Sequence, residues 1–320
     1  MVPAIVIAAY SRPNALARLL WFLQNAKYDY NNNIPLIISL DGNAHSDVIK
    51  LAQCFEWKYG TKRIIQHKEQ LGLRNHILTC GDLTEEYGAI ILLEDDLIVS
   101  PYFYDYATNA LQYYKSDHNV AGISLYSYRN NEFADNAPFI PITNGYDTYF
   151  MQVPSSWGQL WTREQWSSFR LCYPNIQLND DSKLPGAVMS WPETSWKKYF
   201  FKYMVDNNKY FIYPYVSYTS NWGDAGTHFA ELNAFARVPI CCCKKVLYKF
   251  PSITDTNVIY DAFMEISPDF FTRNGALVDS DFIVDLYGTK DLNAYPQAMT
   301  ITTKDCVNSC FDYGLDIMPF

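Results

Sequence analysis

A short apolar run that leads directly into three acidic residues is the segment of this sequence with the clearest chemical meaning. Residues 89–93 are all apolar and predict a buried strand of a parallel sheet. Glu94, Asp95 and Asp96 follow. Unpaired carboxylates are very costly to bury, so these should emerge at the carboxyl end of the strand, the edge where open α/β sheets bind ligands. Strand alternation predicts Glu94 and Asp96 on one side and Asp95 on the other.

Carboxylates in this position suit a hard divalent cation. One or two of them would bind Mg²⁺ or Mn²⁺ together with the oxygens of a diphosphate. A solvated acidic turn is the alternative that the local sequence leaves open. The three acids therefore define a candidate metal and nucleotide site.

Three further polar groups are expected at the same edge of the sheet. Arg12 follows the first predicted strand, Asp41 ends the second, and Arg74 lies in a loop that opens a helix. Asp41 can accept hydrogen bonds from a base or ribose, while either arginine can clamp a diphosphate. Each signal alone is weak, because arginines at loop–helix junctions are often surface caps. Together they predict a nucleotide site with a metal.

The elements that must position these groups alternate over the first 130 residues. Strands are predicted at residues 5–9, 34–40, 63–66, 89–93 and 120–125, and helices at residues 14–25, 46–59, 74–80 and 102–115. This rhythm predicts an α/β fold with a doubly wound, mainly parallel sheet. Later, a strand at 148–153 and a helix at 191–205 are predicted. We expect one nucleotide-sugar and acceptor-binding domain over residues 1–235 and a C-terminal extension over residues 236–320.

Composition restricts the partners. A net charge of −9 over 320 residues argues against a general nucleic-acid binder, which needs a basic face. The 26 Tyr, 19 Phe and 8 Trp suit carbohydrate or nucleobase sites, and they also suit a core. The eight cysteines lack paired zinc spacings and predict reduced thiols. The N-terminus carries no signal-like leader, which predicts a cytoplasmic location, with peripheral contact at the inner face of a membrane left open.

The order of these motifs resembles that of GT-A fold nucleotide-sugar glycosyltransferases, and among them the N-acetylglucosaminyltransferase I family. The resemblance rests on Tyr-Ser-Arg-Pro, Ser-Leu-Asp-Gly, Gly-Leu-Arg and Leu-Leu-Glu-Asp-Asp-Leu, each at the end of a predicted strand or the start of a helix. The Trp-Gly-Gln-Leu-Trp run at residues 157–161 is similar to that family's acceptor segment. The resemblance covers residues 2–230 and implies a GT-A, Rossmann-like fold.

The resemblance also implies an activity and roles for individual residues. It implies transfer of a sugar from a UDP-sugar, with inversion and with Mn²⁺ (or Mg²⁺), to a glycan or lipid-linked acceptor. Asp96 would hold the metal, and the remaining donor contacts would come from Arg12, Asp41, Glu94 and Asp95. His228 follows a glycine-bearing loop and is either a second metal or diphosphate ligand or a structural histidine. Trp157 and Trp222 either stack on acceptor sugars or fill the core. The other histidines are expected at the surface: His45, His67, His76 and His118.

The general base is the point at which the resemblance fails. That family places an aspartate directly after a tryptophan on the later helix, whereas here Trp196 is followed by Lys197 and Lys198. Glu193 is the preferred substitute and Asp224 is the other. The two lysines are expected to face solvent. A catalytically degenerate binding protein is therefore an alternative. A sugar-phosphate nucleotidyltransferase is a further one, although it would need a glycine-rich, lysine-bearing loop after the first strand.

Overall fold

A computed structural model describes residues 1–28, 33–178, 183–224, 235–275, 282–295 and 298–305. The strands are β1 (Ala4–Ala9), β2 (Leu36–Leu40), β3 (Lys62–Gln66), β4 (Ala89–Glu94), β5 (Leu97–Val99), β6 (Val120–Ser124), β7 (Asn130–Asn131), β8 (Ala137–Pro138), β9 (Thr148–Met151), β10 (Gln159–Thr162), β11 (Tyr210–Pro214), β12 (Thr219–Asn221), β13 (Ile259–Tyr260), β14 (Phe282–Asp285) and β15 (Met299–Thr302). The helices are α1 (Pro13–Asn25), α2 (Ser46–Cys54), α3 (Gly72–Asp82), α4 (Thr84–Tyr87), α5 (Phe103–Tyr114), α6 (Arg163–Cys172), α7 (Gly186–Ser190), α8 (Trp196–Asp206) and α9 (Pro268–Arg273), with short 3₁₀ turns at Tyr173–Asn175 and Leu292–Ala294.

A central sheet organises these elements. Its strands lie in the order β13-β9-β11-β6-β10-β4-β1-β2-β3. The neighbouring strands β4, β1, β2 and β3 are all parallel, so their carboxyl ends meet at one edge. This confirms the predicted α/β class with a mainly parallel central sheet, and it puts Glu94, Asp41 and the segment before α1 at the same edge.

Helices cover both faces of the sheet, as expected for a doubly wound arrangement. Alternating residues of β1 belong to different cores: Ile5 and Ile7 pack with α1, α2 and α5, whereas Ala4 and Val6 pack with α3, α6 and α8. All six residues of β1 are buried. A strand that is covered on both faces reads as a continuous apolar run, which is why β1 and β4 stand out in the sequence.

The sequence pattern did not predict β10, which lies between β4 and β6 and is antiparallel to both. Gln159 pairs with Leu92 on one side and Ser124 on the other. Two consequences follow for the candidate site. The strands β4 and β6 run in the same direction and end at the same edge, and Trp157, just before β10, approaches the sheet from that edge.

Two predicted helices have different bounds in the structure. The helix predicted over residues 46–59 ends at Cys54, after which the backbone at Phe55 is extended and the Trp57 indole donates to the Ile34 carbonyl oxygen at 2.7 Å. The helix predicted over residues 191–205 begins only at Trp196. Trp191 is extended because Pro192 follows it, and a residue before proline disfavours the helical conformation.

The C-terminal part of the described chain is partly built onto the central sheet. The strand β13 pairs with β9 at the sheet edge, while β14 and β15 form a separate parallel pair. The division at residues 235 and 236 stays a prediction. Among the described helices, none combines the length and apolar character needed to cross a membrane.

We predict that Gly42→Ala destabilises the protein. A Cβ atom at Gly42 would lie 2.0 Å from the carbonyl carbon of Glu69 and 2.3 Å from the nitrogen of Gln70. Because backbone atoms must move, the free energy of unfolding should fall by roughly 1–3 kcal/mol. Gly186→Ala is the matched control, since its Cβ would meet nothing within 4 Å. Urea unfolding followed by circular dichroism measures both; equal effects would contradict the tight packing at Gly42.

Candidate donor and metal site

An arginine bridges the acidic turn at the end of β4. Asp95 and Asp96 form the turn between β4 and β5, and Arg12 is the last residue before α1. Arg12 Nη1 donates to Asp96 Oδ2 at 2.8 Å, and Nη2 donates to Asp95 Oδ1. The predicted alternation is wrong here, because the strand ends at Glu94 and the turn directs both aspartates to one guanidinium. Arg12, Asp95 and Asp96 are thus brought together as predicted.

Burial and neighbouring charges shift the pKa values of Glu94, Asp95 and Arg12. Burial, reinforced by the charge of Asp96, raises the pKa of Glu94 to about 8. Burial also raises the pKa of Asp95 to about 6, although the Arg12 charge opposes that rise. For Arg12, burial would lower the pKa, but the charges of Asp95 and Asp96 outweigh it and raise the pKa above its usual value. Three carboxyl groups around one guanidinium favour the arrival of a further cation, which would stabilise their ionised forms.

Asp96 retains a free ligand atom. Among the described residues, its Oδ1 atom is buried and has no hydrogen-bond partner. A carboxylate oxygen in that state fits Mn²⁺ or Mg²⁺. No group of three His, Cys, Asp or Glu side chains in the described ranges is arranged to hold a metal. These residues therefore suit a cation that is held by one or two carboxylates and whose coordination shell is completed by substrate phosphates and water. His228, the other predicted ligand, lies outside the described residues.

Asp41 holds the neighbouring loop in place. Its Oδ1 accepts hydrogen bonds from Gly42 N at 2.8 Å and Leu71 N at 2.7 Å, and its Oδ2 accepts one from Gly72 N at 3.1 Å. A carboxylate has about four acceptor positions, so one remains for a nucleotide. Asp41 therefore has a structural role in fixing the loop that begins α3, and its donor contact stays a prediction.

His76 lies beneath this loop and is buried, which corrects the expectation that it is a surface residue. Its Nε2 lies 2.8 Å from Ser39 Oγ. Burial lowers the pKa of His76 to about 4, so the imidazole is neutral at physiological pH. We assign His76 a packing role next to the end of β2.

Arg74 and Glu193 contact each other rather than the acidic turn. Arg74 Nη1 donates to the Glu193 carbonyl oxygen at 2.6 Å and to Tyr199 OH at 3.1 Å. Glu193 itself is exposed. The described hydrogen bonds of Arg74 therefore link α3 to the segment before α8 and leave the diphosphate role predicted for Arg74 without a supporting contact.

Trp222 and Asp224 adjoin the acidic turn from the other side. Trp222 N donates to the Asp96 carbonyl oxygen at 2.9 Å. The guanidinium carbons of Arg18 and Arg237 lie 4.9 and 5.4 Å from the Trp222 ring centroid. Asp224 forms an ion pair with Arg18. A sugar that stacked on Trp222 would have to share the ring with these cations, and Asp224 is not a free base.

The two lysines after Trp196 are buried, which corrects the expectation that they face solvent. Lys197 is 7% exposed and Lys198 is 6% exposed. Lys198 Nζ donates to the carbonyl oxygens of Met189 at 2.6 Å and Trp191 at 2.9 Å. The Lys198 ammonium thus binds carbonyls at the end of α7, as cations near helix C-termini commonly do.

Lys197 faces the site instead and forms what we term the lysine cluster with Glu132, Tyr128, Trp157 and Trp191. Its Nζ donates to Glu132 Oε1 at 2.9 Å and to Tyr128 OH at 3.1 Å. Nζ also lies 5.6 Å from the Trp157 ring centroid and 5.1 Å from that of Trp191. Trp157 is half-buried, so the predicted acceptor residue retains an accessible surface.

Sequence reasoning missed the partners in these contacts. Lys197 carried a signal, since it occupies the position at which the resembled family has its base. Glu132 carried none, because it lies in a loop rich in Asn and Asp. Arg18 and Arg237 show no motif either, and only the packing of α1 against the segment around Trp222 reveals them.

Among known proteins, this chain is similar to solved structures but not to any family or curated protein by sequence. No family model matches the sequence, and no curated protein matches it. TarS 1–349 from S. aureus is similar with 10% identity and a TM-score of 0.45, over 68% of this chain and 60% of that chain. Its complex with UDP-GlcNAc gives 11% identity and a TM-score of 0.44, over 68% and 58% of the two chains.

A mannosyltransferase, PcManGT from Pyrobaculum calidifontis, was solved with GDP-Man and Mn²⁺. It is similar with 12% identity and a TM-score of 0.38, over 51% of this chain and 46% of that chain. Against TarS 1–349, described above, this chain spans about 60% of the length. These neighbours are glycosyltransferases of the GT-A type. Likeness at this level carries no argument about activity, which must come from the site.

We predict that Arg12→Lys destabilises the ligand-free protein. A single ammonium cannot reproduce the two-pronged bridge, and Asp95 is only 2% exposed, so the free energy of unfolding should fall by roughly 1–3 kcal/mol. Arg163→Lys is the control, because the Arg163 side chain is 47% exposed and its pair with Glu85 should be worth under about 1 kcal/mol. Urea unfolding without metal measures both. Equal stability of wild type and Arg12→Lys would show that the bridge does not hold the turn.

Proposed function

We propose that this protein is a metal-dependent glycosyltransferase that moves a sugar from a nucleotide-diphosphate donor, a UDP-sugar in the first instance, to an acceptor hydroxyl with inversion. The observation that carries the proposal is the acidic turn at the carboxyl edge of the sheet, bridged by Arg12 and left with an unpartnered Asp96 oxygen. A parallel-sheet edge with such a turn is a site for a cation and a diphosphate.

The chain's own residues would divide the work as follows. Asp96 Oδ1, with Asp95 beside it, would hold Mn²⁺ or Mg²⁺. The metal, when bound, would neutralise charge on the departing diphosphate. Arg12 keeps both aspartates oriented and adds a fixed positive charge next to them. Asp41 fixes the loop before α3 and keeps one acceptor position for the nucleoside.

Two features favour sugar transfer over nucleotidyl transfer. The segment between β1 and α1 is Tyr-Ser-Arg-Pro and lacks a glycine-rich, lysine-bearing loop. Trp157 is half-buried at the same edge and packs against the buried Tyr126, with ring centroids 4.7 Å apart, so part of the Trp157 ring stays accessible. Aromatic faces with nearby polar groups suit the apolar faces of carbohydrates.

The finer parts of the proposal come from the sequence motifs. They comprise the likeness to N-acetylglucosaminyltransferase I, a glycan or lipid-linked acceptor, and a cytoplasmic location with contact at the inner face of a membrane. The competing function is a binding protein without turnover. Its support is Lys197, a cation at the position where the resembled family has its base.

Isothermal titration calorimetry tests the proposal. UDP-GlcNAc, UDP-glucose, UDP-galactose and GDP-mannose are titrated with and without Mn²⁺ into wild type, Asp96→Asn and the surface control Asp206→Asn. We expect one donor to bind in a Mn²⁺-dependent manner, with affinity reduced about tenfold or more in Asp96→Asn and unchanged in Asp206→Asn. Mn²⁺-independent binding would contradict the metal role of Asp96. Binding of none of the four would contradict the nucleotide-sugar function.

A further inference from the structure

The ion pair between Lys197 and Glu132 is nearly buried at the edge that binds ligands. The Lys197 side chain is 9% exposed and the Glu132 side chain 16%. Buried ion pairs are often no more stabilising than apolar residues of the same size, because both charges lose hydration. Stability alone therefore does not account for this pair.

The topology places the pair beside the acidic turn. Because β4 and β6 run in the same direction, the loop after β6 emerges at the edge where Glu94 ends β4. That loop is fixed by hydrogen bonds from Leu125 N to the Gly158 carbonyl oxygen at 2.9 Å and from Ser127 N to Ser217 Oγ at 3.0 Å. The Lys197 charge also acts on Glu94, where it opposes the rise of the Glu94 pKa.

Glu132 has one oxygen anchored and one available. Tyr128 OH and Lys197 Nζ both donate to Oε1, at 3.1 and 2.9 Å. Within the described part of the chain, no donor to Oε2 is found. The carboxylate is therefore held in one orientation while its second oxygen stays free to accept a proton.

The other candidate bases lack this arrangement. Asp224 is neutralised by Arg18. Glu193 is exposed, and its backbone is held by Arg74 on the α3 side. Only Glu132, among these three, combines a fixed carboxylate with a neighbouring aromatic surface, Trp157, on which an acceptor sugar can stack.

We infer that Glu132 is the general base of the transfer and that Lys197 is its positioning residue, an inference that rests on the proposed function. Glu132 Oε2 takes the proton of the acceptor hydroxyl as the acceptor oxygen forms its bond to the anomeric carbon. The bond from that carbon to the diphosphate oxygen breaks, and the nucleoside diphosphate leaves with the electron pair. Glu132 then returns the proton to solvent. Lys197 keeps Oε1 occupied, so the free oxygen is the one that reacts.

The test uses the donor identified by calorimetry, with Mn²⁺ and with water as the acceptor. Glu132→Gln keeps the shape of the side chain and removes its basicity. We expect its donor affinity to stay within about twofold of wild type, while kcat for donor hydrolysis falls about 100-fold or more, the usual contribution of a general base. The surface control Glu164→Gln should match wild type in both.

Chemical rescue separates a catalytic role from a structural one. Glu132→Ala leaves space for a small carboxylate, so formate should restore hydrolysis in that variant. Formate should not restore it in Lys197→Met, which retains the Glu132 carboxylate. A structural role for the pair predicts no rescue in either variant.

The outcomes are distinct. Undiminished hydrolysis in Glu132→Gln, or loss of hydrolysis in Glu193→Gln instead, overturns the role of Glu132 and leaves the proposed function standing. Donor binding by wild type without any hydrolysis overturns both the role of Glu132 and the transferase activity, in favour of the binding-protein alternative. Failure of every donor to bind wild type overturns the proposed function itself.

Discussion

The arginine bridge across the acidic turn is the interaction on which the rest of the site depends. Asp95 and Asp96 follow a strand that is buried on both faces, so they leave the sheet in a region with little water to stabilise them. Arg12 supplies the compensating charge, and it stands immediately before α1. The start of that helix and the end of β4 are thereby held together, which gives the sheet edge a fixed geometry before any ligand arrives.

The antiparallel strand β10 positions the part of the site that contains Trp157. In the sheet, β10 stands between β4 and β6, which run in the same direction. Insertion of β10 separates them and brings Trp157 in from the ligand edge. Gly158 has a positive φ of 96°, and a Cβ atom there would lie 2.8 Å from Thr219 Cγ2, so a glycine is needed for this approach. The acidic turn and Trp157 thus reach the same edge from strands of opposite direction.

Local pattern predicted that Arg12 and the acidic turn meet at one edge, and it missed the lysine cluster, for physical reasons. The strands β1 and β4 are continuous apolar runs, and polar residues that follow such runs must collect at one edge, as Arg12 and the acidic turn do. The lysine cluster joins Lys197 to a glutamate 65 positions away. No sequence periodicity encodes such a pair, and two adjacent lysines ordinarily predict solvent-exposed side chains. Asp41 was predicted as a site residue because it follows a strand. Its hydrogen bonds to backbone nitrogens could be identified only from the folded loop.

The ligand-free charge balance of this edge constrains how the proposed nucleotide donor would bind. Arg12 is committed to Asp95 and Asp96, and Lys197 to Glu132, so these two cations already have acidic partners. A diphosphate arriving alone would place further negative charge beside an acidic turn, whereas a divalent cation arriving alone would lack the oxygen ligands that complete its shell. Arrival of the two together satisfies both requirements. The same reasoning explains why a carboxylate such as Glu132 can lie near this edge without being repelled from it: its charge is neutralised by Lys197 before the donor enters.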